Sequence, residues 1–322
     1  MFKRILVLMV LSVLTPPALS QGARADSVHE KEQVAILVTG ASSGIGRNIA
    51  ETLAANGYFV YAGARKQEDL DALNEIPNIR SVRLDVTKQE EIDAAVELVR
   101  KGGRGLYGLV NNAGVLVLGP ITEIDEDELA WILDVNLMGV YRVTKAFAPL
   151  IIESKGRISN ISSIAGVLSG KFWAPYNMSK HALESYTDDL AEEMSLFGVK
   201  VSAINPGNYN SRIGTKEATT LAKKPYAQPG SVYAEHIAAE IEYMSDRSMY
   251  KDPDDVTAAV MHALFDPAPK ANYLVVPNQQ EAEWTIRKMI EETAELNADH
   301  EFSYSDDELV QMLKEATAAQ RD

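Results

Sequence analysis

Tyr176 and Lys180 stand four residues apart within a segment, 173–197, that reads as a helix. That spacing puts both side chains on one face of it. A phenol with an ordinary pKa near ~10 is a weak base at neutral pH, and an ammonium beside it would stabilise the phenolate and lower that value. A phenol tuned in this way can exchange a proton with an alcohol or carbonyl oxygen. Ser162 and Ser163 follow a strand-like stretch, 157–161, and offer a hydroxyl to orient the same oxygen. A Tyr-x-x-x-Lys pair alone usually means an exposed ring beside a solvated charge, so its meaning rests on what the rest of the chain builds around it.

The elements that would position these groups alternate. Val34–Val38 is a short continuous apolar run, and residues 45–56 carry Ile45, Ile49 and Leu53 at helical spacing before Gly57 ends the pattern. Strand-like stretches recur at 59–62, 79–84, 106–110, 157–161 and 200–205. Helical ones fall at 67–73, 89–100, 125–154 and 173–197. Strand–helix repeats of this length predict an α/β fold, a doubly wound parallel sheet with helices on both faces, because parallel strands need crossover connections. Residues 34–278 read as one domain.

Between the first strand and the first helix lies Thr39-Gly40-Ala41-Ser42-Ser43-Gly44-Ile45-Gly46. Gly40 allows a tight turn, Gly44 lets backbone approach a pyrophosphate, and Gly46 lets helix and strand sit close. The helix N-terminus adds amide donors and a positive dipole. The position of this loop, after an apolar strand and before an amphipathic helix, is the context that a dinucleotide site requires.

The three residues between the first two glycines distinguish this loop from the G-x-G-x-x-G form, and the chain resembles the short-chain dehydrogenase/reductase family. Thr39 to Gly46 is similar to its TGxxxGxG motif, and Asn111-Asn112-Ala113-Gly114 to its NNAG motif. Ser163, Tyr176 and Lys180 match its serine, tyrosine and lysine, with Asn136 where the family has an active-site asparagine. The resemblance implies a Rossmann-like three-layer fold. It also implies hydride transfer between nicotinamide and a C–OH/C=O carbon, with Tyr176 as acid/base and Asn136 polarising a water that relays protons toward Lys180. Asp85-Val86 matches the position that contacts adenine. Pro206-Gly207 is expected near the nicotinamide, and Ser211 stands where the family usually has a threonine on the carboxamide. The cofactor contacts so implied are Thr39, Gly40, Ser42, Ser43, Gly44, Ile45, Gly46, Asp85, Val86, Asn112, Ala113, Gly114, Tyr176, Lys180, Pro206, Gly207 and Ser211, with Arg65 beside them.

Arg65 bears on which cofactor is used. An acidic residue about 20 positions past the glycine loop accepts from the ribose 2′-hydroxyl of NAD, whereas an arginine accommodates the 2′-phosphate of NADP. The window reads Gly63-Ala64-Arg65-Lys66. A guanidinium there can grip phosphate with a fork of donors, which predicts preference for NADP(H), with NAD(H) possible. The stretch 212–251, with Tyr226, Tyr233, Tyr243 and Tyr250, sits where the family builds a substrate lid. Together with Val115–Leu118, Phe172 and Trp173 it predicts an apolar, aromatic pocket.

Composition narrows the rest. The chain has 322 residues, a formal net charge of −15 and no cysteine. Thiol chemistry and zinc–thiolate sites are excluded, and the five histidines lack ligand spacing, so no metal is expected. Nucleic acid is not an expected partner, because phosphate neutralisation needs clustered Lys and Arg. Residues 1–25 combine Lys3 and Arg4, an apolar run and small residues in the order of an export signal, too short to span a bilayer stably. The expected location is therefore periplasm or a secretory lumen, or cytoplasm if the chain starts later. Residues 279–322 read as an acidic helical extension, with a capping box at Ser305 and with Trp284, Ile286, Met289 and Ile290 seating one helix face on the domain. The family resemblance implies a dimer or tetramer acting on a small-molecule substrate. A cofactor-binding protein without turnover and a sugar-nucleotide epimerase or dehydratase are the alternatives; the intact Tyr and Lys oppose the first, and the glycine spacing opposes the second.

Overall fold

The computed structural model describes residues 33–320, so the expected leader lies outside the described residues. Seven parallel strands form one sheet in the order β3-β2-β1-β4-β5-β6-β7. They are β1 (Ala35–Val38), β2 (Phe59–Ala64), β3 (Ile79–Arg83), β4 (Gly108–Asn111), β5 (Arg157–Ile161), β6 (Lys200–Pro206) and β7 (Asn272–Val275). Every residue of β1 is buried, as expected for a parallel strand covered on both faces. Chain order reverses at β1, which pairs with β2 on one side and β4 on the other. Ligands of such sheets bind beyond the strand ends at this switch point.

Helices close both faces. On one face α1 (Gly44–Ala55) and α9 (Asp254–Phe265) bury Ile49, Leu53, Val260 and Leu264 against Ile36 and Val38. On the other, α3 (Gln89–Gly102), α5 (Gly139–Ser154) and α6 (Ala174–Ser195) cover Leu37 and Leu109, with Val99, Phe147 and Ile151 in the contact. By length and composition Glu126–Ser154 is apolar enough to cross a bilayer. Its apolar residues are accounted for in part by this core, since Val143, Phe147 and Ile151 are fully buried. The short α2 (Gln67–Asn74) follows β2.

Two expectations change in detail. The predicted helix at 125–154 is two helices, α4 (Glu126–Leu133) and α5, joined by a π-helical segment, Asp134–Met138, which carries Asn136 inward. Single-turn π segments often mark functional sites, and apolar periodicity does not reveal them. The extension forms α10 (Gln279–Asn297) and α11 (Asp306–Ala319), and the capping box at Ser305 is present as expected. The face that α10 turns inward differs, however. Glu281 and Thr285 are buried at 3% exposure each, whereas Ile286, Met289 and Ile290 remain about half exposed, at 48%, 51% and 54%. Glu281 points into the domain, where its carboxylate accepts from the Asn208 N–H at 2.7 Å.

Candidate active site

The site grows from the ends of β1 and β4. The Thr39 hydroxyl accepts from the backbone N–H groups of Asn112 (2.9 Å) and Ala113 (3.0 Å). The Asn112 amide donates to the carbonyls of Thr39 (2.9 Å) and Gly40 (3.1 Å). These bonds lock the two strand-end loops together. A Cβ on Gly46 would lie 2.2 Å from the Asn112 amide nitrogen, so the third glycine makes room for this cross-link. Gly40 and Gly44 have φ of 65° and 59°, a left-handed turn that suits glycine.

Beyond that turn, α1 begins with Ser43 as N-cap, with no side-chain cap bond and no acidic residue in its first turn. Its leading amides are unspent within the helix, a donor set matched to an anion. At the other end of the same cleft Asp85 accepts from the Thr87 N–H (3.1 Å) and hydroxyl (2.8 Å) through Oδ1. Although burial opposes it, the Thr87 bonds and the nearby Arg65 and Lys88 charges hold the Asp85 carboxyl below its ordinary value. Its Oδ2 faces the Arg65 guanidinium at 3.9 Å, and Arg65 keeps 62% of its side chain exposed. Glu68, the nearest following carboxylate, is paired with Lys66 at 3.1 Å and leaves Arg65 free of a competing partner from that side.

All the residues expected at the site line one cavity of about 960 Å³ except Thr39 and Asn136, which brace it from behind. The donor set and the clearances left by glycine fit a dinucleotide: Ser42, Ser43 and the α1 amides for the pyrophosphate, Asp85 and Val86 for adenine, and Arg65 at the rim. Ser211 is the N-cap of α7 (Arg212–Leu221), and its Cβ lies 3.5 Å from where a side chain on Gly44 would begin.

At the inner end of the cavity Ser163 caps a short 3-10 turn, accepting from the Ala165 N–H at 3.1 Å and donating to the Pro206 carbonyl at 3.5 Å. Tyr176 and Lys180 share one face of α6. The Lys180 ammonium donates to the Ile161 carbonyl at 2.9 Å and lies 5.7 Å from the centre of the Tyr176 ring. Burial pulls the Lys180 ammonium down to about 8, with the Glu184 carboxylate acting in the opposite direction. Burial also pushes the Tyr176 phenol above its ordinary range, offset in part by a hydrogen bond with Ser163. The Tyr176 ring is only partly buried, so the balance between this desolvation and the Lys180 charge is set at the edge of the cavity.

The side chain of Asn136 is fully engaged by protein partners. Its Oδ1 accepts from the Val115 N–H (2.8 Å), and its Nδ2 donates to the Val115 carbonyl (2.9 Å) and the Ser179 hydroxyl (3.0 Å). Both amide protons are committed, so the side chain fixes the β4 loop against α6 and does not present a donor to water.

The substrate end is more polar than expected. Leu116, Trp173, Ile213 and Met244 line it, but so do Asn177, Glu217 and Glu240. Of the expected lid tyrosines, only Tyr243, on α8 (Ala234–Ser245), lines the cavity. Phe172 and Tyr233 meet edge to face at 5.9 Å in the packing behind it, where Tyr226 is buried and donates to the Leu118 carbonyl at 3.2 Å. Glu217, on α7, accepts from the Leu118 N–H at 2.9 Å, and burial pushes its carboxyl up to about 7. Arg247 donates to Asn208 at 3.0 Å and lies over the Tyr250 ring at 4.1 Å. Trp284 reaches the cavity from α10. Sequence reasoning did not single out Glu217 or Arg247. It counted Glu281 only as part of the acidic extension, and it read Trp284 only as a contact on the domain.

The comparisons with known proteins agree with this architecture. A family model described as short chain dehydrogenase matches residues 34–222. The chain is similar to a mitochondrial D-beta-hydroxybutyrate dehydrogenase of Bos taurus, 33% identical over 305 residues, which cover 87% of each protein. A short chain dehydrogenase/reductase of Burkholderia phymatum, solved in complex with NAD, superposes with a TM-score of 0.70 at 26% identity, covering 85% of this chain and 98% of that one. A variant of actinorhodin polyketide ketoreductase, solved with NADPH, superposes with a TM-score of 0.64 at 30% identity, covering 76% and 95%.

Proposed function

Given that the chain belongs to the short chain dehydrogenase family, whose solved neighbours bind NAD or NADPH, we propose that it moves hydride between a nicotinamide and the C–OH/C=O carbon of an alcohol or ketone. The observation that carries this reading is the convergence of Tyr176, Ser163 and Lys180 on one cavity. The partly buried Tyr176 ring stands beside Lys180 at the inner end of that cavity, whose other end has an open helix N-terminus. When bound, the nicotinamide supplies or takes up the hydride. Tyr176 then gives its proton to the carbonyl oxygen in reduction, or receives the alcohol proton in oxidation. Ser163 orients that oxygen, and Lys180, fixed on the Ile161 carbonyl, holds its charge near the ring.

Arg65 at the cavity rim, with Glu68 turned to Lys66, supports NADP(H) as the preferred cofactor. Leu116, Trp173, Ile213 and Met244 support a substrate with an apolar body. The Glu240 carboxylate in the same wall, joined by Glu217 where the pH ionises it, weighs against a substrate that is itself a carboxylate, although the bovine relative is named for a hydroxy acid. The reading extends to the whole chain: an exported protein whose first 25 residues are a removable leader, a catalytic domain over 34–278 with an extension over 279–322, assembled as a homo-oligomer. Incubation with NADPH and a panel of ketones, then with NADP and the matching alcohols, tests the chemistry by the change in reduced-nicotinamide absorbance. Turnover of apolar ketones is expected. Cofactor binding without turnover of any member would reject the catalytic reading. Intact mass of native material tests the leader.

A further inference from the structure

Glu281 is a buried carboxylate outside the stretch matched by the family model. It makes no ion pair among the described residues. Burying a carboxylate costs several kcal/mol unless its oxygens are well bonded, roughly as much as a sound core contact contributes. Its bonds are specific. Oε2 accepts from the backbone N–H of Asn208 at 2.7 Å, and Oε1 accepts from the Asn278 amide at 3.0 Å. A Cβ on Gly207 would stand 2.1 Å from the same Oε2, so glycine at 207 is the residue that lets the carboxylate reach the loop.

That loop is part of the cavity wall. Pro206, Gly207 and Asn208 all line it, and the Pro206 carbonyl takes the hydrogen bond from Ser163. The Asn208 side chain accepts from Arg247, so the loop is held from two directions, by α10 and by the segment following α8. One turn beyond Glu281, Trp284 lines the same cavity as Tyr243. The contacts thus run without a break from Ser163 through Pro206 and Asn208 to Glu281.

We propose that α10 is a wall of the active site, with Glu281 positioning the Pro206–Asn208 loop for the cofactor and Trp284 setting the bulk of the substrate that fits beside it. The Trp284 part rests on the proposed hydride-transfer function. The Glu281 part does not, because it is read from cofactor binding alone.

The full chain is tested with three variants: Glu281→Gln, which keeps one acceptor and removes the charge, Trp284→Ala, and Ile286→Ala on the exposed face of the same helix as control. Titration with whichever of NADPH and NADH the wild type binds more tightly, followed by fluorescence, is expected to give a Kd about tenfold higher for Glu281→Gln, the loss of one hydrogen bond to a charged group. Where the panel gives turnover, the same variant is expected to raise the KM for cofactor more than it lowers kcat. Trp284→Ala is expected to shift the ratio of kcat/KM for a bulky over a small ketone by about tenfold in favour of the bulky one, with cofactor Kd unchanged. Ile286→Ala is expected to change neither. A purely structural helix would instead lower the melting temperature of Glu281→Gln and Trp284→Ala while leaving cofactor Kd and the size ratio at wild-type values, and that result would overturn the proposal. If no ketone is turned over, the hydride-transfer reading fails and takes the Trp284 part with it. The cofactor titration still decides the Glu281 part.

Discussion

The two sides of the cleft are built by different kinds of contact. On the cofactor side, backbone does most of the binding work: turns that suit glycine at 40 and 44, an uncapped helix start, and a Thr39 hydroxyl that clips two loops together. On the substrate side, single side chains far apart in sequence meet at one place, as Leu116, Trp173 and Met244 do in the cavity wall, where Glu217 also accepts from the distant Leu118 N–H. Backbone demands tie residue type to position and tolerate little change. Single side chains on the helices of the wall can be exchanged without disturbing the sheet, which makes the second side the natural seat of substrate choice.

Tyr176, where the two sides join, gives the largest expected effect. Tyr176→Phe removes the only proton-carrying atom of the ring and leaves its shape, so kcat is expected to fall about 10²–10⁴-fold, the range for a positioned acid/base group. The cofactor Kd, a property of the other side, is expected to stay within about twofold. Steady-state rates beside a fluorescence titration of NADPH check both. An equal loss in both quantities would mean that the ring serves binding and that the two sides cannot be separated there.

A smaller effect is expected on the cofactor side alone. Arg65→Gln removes the guanidinium that faces Asp85 and the cavity rim. Loss of charge-assisted bonds to a 2′-phosphate is expected to raise the Kd for NADPH about 10–100-fold while that for NADH moves little. Parallel titrations with the two nucleotides measure this. Equal weakening of both would assign Arg65 to the adenine contact that they share.

The same contrast explains what could be read from sequence. Residues 39–46 announce their turn, because glycine at 40, 44 and 46 reports a backbone need within eight residues. The strand–helix alternation likewise fixed the doubly wound sheet, since each apolar run is local. The π-helical turn at Asn136 was not read from 125–154, because a single irregular turn has no residue type of its own to announce it and the segment is apolar on both sides of it. For α10, Trp284, Ile286, Met289 and Ile290 advertised a contact face, yet the helix turns Glu281 and Thr285 inward. A 2.7 Å bond from a backbone amide 73 residues earlier has no local signature. Nor does burial: Lys180 and Tyr176 announce a charge pair by spacing, but how strongly desolvation opposes that pairing depends on what covers them.

Glu217 carries the substrate side into a pH dependence of smaller size. Its carboxyl is buried on α7, bonded to the Leu118 N–H, near Glu128 and the Lys224 that pairs with Glu128. Burial raises its pKa to about 7 from an ordinary 4.5, with the Leu118 bond and Lys224 opposing and Glu128 reinforcing. A raised carboxyl pKa means that the folded state binds the proton more tightly than the unfolded chain does. Its stabilising contribution is therefore fully present below pH 4.5 and is lost as the pH rises through about 7, a change on the order of 1–3 kcal/mol. Glu217→Gln keeps an acceptor for Leu118 and does not titrate. Titrations at the other groups are shared by the two proteins and cancel in the difference. Urea unfolding of both proteins at intervals from pH 4.5 to 8 is expected to show the variant gaining on the wild type as the pH rises, until above about pH 7 it is the more stable of the two. A stability difference that stays constant across that range would mean that the Leu118 bond, and not burial, governs Glu217, and that this wall presents a permanent negative charge to the substrate.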